Sequence, residues 1–153
     1  MPAEDDSDNI LIATEGSSRS EGMKFPWMGL DRELLRHCER RLREELSLSI
    51  QLYLMADKFQ VAALKLLARD RFYRAAEVSW DWLACFPDII DEIYCIPRER
   101  DTRRLREIVC RLVGSHIRDK AQRDRMAGVM PKHGDFALGV LNYIGESEDA
   151  VWR

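Results

Sequence analysis

Apolar residues in this chain recur every three or four positions, with no sustained alternation, and that spacing predicts helices and no strands. Asp31 is a suitable cap for a helix whose Leu34, Leu35, Cys38, Leu42 and Leu46 make one stripe. A new helix is expected to start near Ser47 or Ser49 and to run through Ile50, Tyr53, Leu54 and Ala56 to about Phe59. A break at Gln60 and Val61 leads into a third helix carrying Leu64, Leu67, Ala68, Phe72, Ala75 and Ala76, so these two helices form a hairpin. Pro87 suits a first helical turn, Ile89, Ile90, Ile93 and Tyr94 give the next face, and Pro97 stops it. The clearest periodicity follows a cap at Asp101 or Thr102: Leu105, Ile108, Val109, Leu112, Val113 and His116. Met126 to Met130 adds a turn or two, and Asp135 is placed to cap a last helix with Phe136, Val140, Leu141 and Ile144.

The fold class expected is therefore all-α: one small bundle of six to eight helices. Residues 1–22, rich in Asp, Glu, Ser and Gly, bury too little to offset their ordering entropy and are predicted to be a disordered tail. Residues 23–46 combine a short apolar cluster, including Phe25, Trp27 and Leu30, with the first amphipathic helix, and are expected to dock onto the rest. Residues 47–146 form the helical domain and 147–153 a short tail.

Composition narrows the function without naming it. At 153 residues the chain favours one domain able to bury roughly 68–70% of its unfolded surface. The formal net charge of −3, with acids and bases interleaved, supplies no field for nucleic acid or an anionic membrane. No apolar run approaches the roughly 20 residues that span a bilayer. Cys38, Cys85, Cys95 and Cys110 are widely spaced, with no secretory leader ahead of them, so free thiols in the cytosol or nucleus are expected.

No constellation points to catalysis. There is no phosphate-cradling glycine loop and no nucleophile in a Gly-rich turn. His37 beside Cys38, and Cys110 six residues before His116, each miss a common helix face, so no metal site and no cofactor is expected. His116, on an apolar stripe, reads as a core or boundary histidine rather than a general base. Arg98, Arg100, Arg103, Arg104 and Arg106 are candidate phosphate contacts for a nucleic-acid-associated regulator, but Glu99, Asp101 and Glu107 interrupt them and no aromatic is interleaved for stacking. Asp5, Asp6 and Asp8 before Ile10, Leu11 and Ile12 form an acidic and apolar pattern of the kind that adds a strand to a partner's sheet, similar to motifs that bind ubiquitin-like modifiers.

Leu52-Tyr53-Leu54-Met55-Ala56-Asp57-Lys58-Phe59-Gln60-Val61-Ala62-Ala63-Leu64-Lys65-Leu66-Leu67-Ala68 resembles a signature of fungal BTB/POZ-domain proteins. The stretches Phe86 to Tyr94, Leu105 to Val109 and Asp135 to Ala137 are similar to segments that follow it there, so the likeness covers roughly residues 46–144. The resemblance implies the helical hairpin that closes a BTB fold, with a BACK-like extension. It implies a protein partner: another BTB protein or a ubiquitin-ligase component. Residues 1–45 have no counterpart of the family's sheet-containing core. The hairpin face that the core would cover must then find other cover or form a contact surface, and Phe25, Trp27, Tyr53 and Phe59 are the candidate interface residues. The expected function is a non-enzymatic interaction module, a truncated or divergent BTB-type adaptor; a shortened gene product with little activity is the alternative.

Overall fold

The computed structural model describes residues 31–151, with side chains as far as Ser147. The expectations for the 1–22 tail and for Phe25 and Trp27 lie outside the described residues, as does the close of the 147–153 segment. Six helices and no strand are found among the described residues, as the periodicity predicts. None of these helices is long and apolar enough to cross a membrane.

Helix α1 runs unbroken over Arg32–Lys58, 27 residues. Asp31 caps it, its carboxylate accepting from the Glu33 amide. The start expected at Ser47 or Ser49 does not occur, and the boundary drawn at 46/47 falls inside the helix. The reason is physical: no Gly or Pro lies between Asp31 and Phe59, and serine inside a helix costs only about 0.5 kcal/mol relative to alanine. Ser47 donates its hydroxyl across to Glu92, in the segment 86–95 packed beside it, at 2.8 Å instead of capping. The helix ends where predicted. Gln60 takes a left-handed φ of 57°, its amide donates to the Asp57 carbonyl, and the Val61 amide donates to the Ala56 carbonyl, which closes the orphan carbonyls in a Schellman arrangement.

Helix α2, Ala62–Ser79, returns antiparallel to α1. Ala68 and Ala76 flank Phe72 on its buried face, and small side chains there allow close approach to Leu46, Ile50 and Tyr53 of α1. Charged pairs set the register from both ends, Asp57 with Lys65 at 2.6 Å and Glu45 with Arg71 at 2.6 Å.

A turn holding Trp80 and Leu83 in the core leads to α3, Phe86–Cys95, with Pro87 in its first turn and Ile89, Ile90 and Ile93 buried. Helix α4, Arg103–Gly114, buries Leu105, Val109, Leu112 and Val113 as the periodicity requires. Thr102 stands at its N-cap, but the Asp101 carboxylate receives the Arg103 amide. His116 lies beyond the helix and is exposed, its ring 4.8 Å from that of buried Trp80, so of the two expected places, core or boundary, it takes the boundary. Helix α5, Lys120–Met126, is capped by Asp119.

The last helix, α6, spans Gly134–Val151. It starts one residue ahead of its expected cap. The His133 carbonyl accepts from Phe136 and Ala137, while Asp135, inside the first turn, pairs with Arg98. Helices α4 and α6 pack closely because glycine stands at each contact. A β-carbon on Gly139 would lie 2.6 Å from the Cys110 sulfur, and one on Gly114 would lie 2.6 Å from the Tyr143 ring.

Candidate functional site

Three regions combine chemistry with accessibility. The first is the outward side of the hairpin. From Leu34 the α1 positions Cys38, Arg41, Glu45, Leu48, Leu52, Met55 and Phe59 follow at alternating steps of four and three, which keeps them on one stripe. Leu34, Leu48, Met55 and Phe59 are exposed, Met55 by 53% and Phe59 by 64%. The Glu45–Arg71 bond fixes the antiparallel register, and one turn further along, Leu48 of α1 and Leu67 of α2 share the neighbourhood. Leu67 is 56% exposed. Apolar exposure on this stripe is thus concentrated at Leu48, Met55 and Phe59, toward the α1–α2 turn, while Arg41 and Glu45 separate that stretch from Leu34.

Tyr53 does not belong to it. This candidate interface residue is 1% exposed and sits among Leu46, Ile50 and Phe72. Six residues separate it from Phe59, a rotation of roughly 120° away from a common face. The Lys65 ammonium lies 5.0 Å from its ring. Lys65 also bridges Asp57 and Asp101, tying the hairpin to the start of α4. That arrangement holds the Asp101 carboxyl below the usual carboxylate range, chiefly through the Lys65 hydrogen bond, and raises Lys65 chiefly through its bond to Asp57.

The second region is an open cleft of about 1100 Å³ between the 98–104 loop, α2, α4 and α6. Seven arginines line it against six carboxylates, so the positive charge is nearly balanced. Arg98 is spent on Asp135 and Arg104 on Glu107, each at 2.9 Å, while Arg100 and Arg103 are exposed. The five arginines of the loop and of the first turn of α4 share the cleft, and two of them, Arg98 and Arg104, are engaged by carboxylates. Arg106 lies 4.7 Å from the centroid of Tyr94. Burial pushes up the hydroxyl of Tyr94 and the thiol of Cys110, whose oxygen and sulfur are 3.3 Å apart.

The third region was not foreseen from sequence. Asp91 and Cys95 stand one turn apart on α3, and the fold brings His133 to them from just ahead of α6. Their ligating atoms lie within 4.8 Å of one another. His133 Nε2 is 2.5 Å from Asp91 Oδ1, Cys95 Sγ is 3.9 Å from the same oxygen, and Lys132 Nζ is 2.7 Å from the carboxylate. Lys132, and after it His133, hold the Asp91 carboxyl below its ordinary range. The i,i+4 pair is visible in the sequence, but a residue 42 positions from Asp91 is joined to it only by the fold. The two histidine–cysteine pairs weighed at first are not among the clustered groups of the described residues.

Comparison with protein-family models, with curated proteins and with solved structures finds no match for this chain.

Proposed function

We propose that this protein is a non-enzymatic interaction module that receives a helix of a partner protein along the outer strip of α1. The observation that carries this reading is the exposure of Leu48, Met55 and Phe59, set at steps of seven and four along one side of α1, with Leu67 of α2 exposed as well. Surface helices normally place charge at such positions; a sustained apolar strip is what a partner helix covers. Burying an exposed leucine or phenylalanine side chain stabilises a complex by roughly 1.5–3 kcal/mol before association costs.

The similarity of Leu52 to Ala68 to BTB/POZ proteins supports the same reading. In that family the hairpin has the rest of the domain against it, and among the described residues of this chain nothing covers Leu48, Met55 and Phe59. On this basis the partner is another BTB-type protein or a ubiquitin-ligase component, met in the cytosol or nucleus, where the four free cysteines stay reduced.

Affinity capture with the full chain tests the proposal when the Leu48→Asp/Met55→Asp variant is compared with Leu141→Asp, a change at an exposed leucine of α6. A partner retained by the wild type and by L141D, lost by the double variant, and recovered as a direct binary complex from purified components supports it, provided thermal melting of all three coincides. Equal capture by all three, or no capture at all, overturns it.

A further inference from the structure

We propose that Asp91, Cys95 and His133 form a three-ligand binding site for zinc, with the fourth position open to solvent. The donor set of one thiolate, one imidazole and one carboxylate suits a borderline dication that accepts sulfur, nitrogen and oxygen together. It also balances charge, since two anionic ligands and a neutral imidazole offset the metal's two charges.

The geometry is close to what the metal requires. Tetrahedral zinc with ordinary bond lengths places a sulfur ligand about 3.5 Å from an oxygen or nitrogen ligand, and nitrogen and oxygen ligands about 3.3 Å apart. Cys95 Sγ already stands 3.9 Å from Asp91 Oδ1. His133 Nε2, at 2.5 Å, has to open by less than an ångström. The Cys95 and His133 donors, which stand within 4.8 Å of each other, close by a rotation of the exposed Cys95 side chain. Asp91 and Cys95 are set one helical turn apart on a single face of α3, whose other face is anchored by Ile89, Ile90 and Ile93. The side chain of His133 is only 13% exposed, and its ring lies 5.6 Å from the Tyr94 ring, which is itself 5.5 Å from that of Phe136. Two ligands therefore rest on a rigid helix and the third on a packed ring, while Cys95 faces water, from which the metal enters.

Binding is balanced in protons. The Cys95 thiol gives its proton to solvent as the Zn–S bond forms. His133 Nε2, whose proton now bridges to Asp91, releases that proton to solvent and the neutral ring keeps or takes one on Nδ1, so the present His133–Asp91 hydrogen bond is replaced by two bonds to one ion. Lys132 opposes the metal. Its ammonium rests on Asp91, but its side chain is 58% exposed and free to swing into solvent, so it weakens the site without blocking it.

The test is titration of the full, reduced, tag-free chain with zinc by calorimetry and with cobalt(II) by absorption. The proposal expects one equivalent of metal and a thiolate-to-cobalt charge-transfer band. Cys95→Ser abolishes the band, and His133→Ala weakens zinc binding by at least about tenfold, the scale on which even outer partners of a ligand act. Lys132→Met tightens it severalfold, because a like charge beside the ion is gone. Circular dichroism confirms that each variant is folded. A wild type with no charge-transfer band overturns the proposal. So does a band that survives in C95S, which would assign the metal to another thiol, or a K132M variant that binds no more tightly.

Discussion

The sulfur of Cys110 occupies the space that a β-carbon at Gly139 would need, 2.6 Å away, and it is held there with the Tyr94 hydroxyl at 3.3 Å. Helices α4 and α6 meet through this contact. Gly139→Ala gains helix propensity of about 1 kcal/mol but overpacks a seam that has no flexible side chain to yield, a fault that costs about 1–3 kcal/mol. A net loss of about 1 kcal/mol is expected in urea denaturation. The double variant Cys110→Ala/Gly139→Ala, which makes room for the new methyl, recovers part of that loss. Additive effects of the two substitutions in the cycle would contradict the packing account.

Ser49 carries the opposite kind of defect. Its hydroxyl is buried in α1 with no hydrogen-bond partner, and an unsatisfied buried polar group costs about 1–3 kcal/mol. Ser49→Ala removes it and improves helix propensity, so unfolding free energy rises by about 1 kcal/mol. A lower denaturation midpoint would show that the hydroxyl is satisfied after all.

Gln60 stands at the position after α1 where a left-handed backbone is needed and glycine is usual. Non-glycine residues there pay roughly 1–2 kcal/mol. Gln60→Gly gives up a side-chain bond to the Asp57 carbonyl, an exposed bond of small net value, and is expected to raise the melting temperature by a few degrees. Gln60→Val, β-branched in the same conformation, lowers it.

Acid weakens the fold through two carboxylates in particular. Asp91, beside Lys132 and His133, and Asp101, beside Lys65, both titrate below their ordinary range in the folded chain. Each therefore binds a proton less readily folded than unfolded. Their contribution is complete above the unfolded-state value of about 3.9 and is lost as pH falls through the lower folded-state value. Chemical denaturation between neutral and acid pH shows the decline, and the Asp91→Asn/Asp101→Asn variant, less stable near neutrality, shows a shallower one. An identical slope in both proteins would place the acid sensitivity elsewhere.

Local patterning made much of this fold legible. Leu105, Val109, Leu112 and Val113 are buried and Ile108 half-buried on the stripe their spacing requires, and Pro87 and Pro97 bracket α3. Serine at 47 and 49 misled because a cap and a helix-interior serine look alike in sequence. With no Gly or Pro to break α1, the Ser47 hydroxyl donates to Glu92, 45 residues away, a partner that local sequence does not reveal. Tyr53 and Phe59 were paired by their shared motif, yet their angular separation sends one into the core and leaves the other 64% exposed. The Asp91, Cys95 and His133 cluster depends on α6 starting beside α3, and no local periodicity encodes that.

Because α1 is one helix and not two, its outer strip is a stiff rod about 40 Å long, 27 residues at about 1.5 Å each. No hinge at Ser47 lets the Leu34 end and the Phe59 end adjust separately. A partner must match the spacing of the whole rod or forgo one end of it. In return, little conformational entropy is lost on this side of the complex. Selection by length, with ordering left to the partner, is what an unbroken α1 provides and two shorter helices would not.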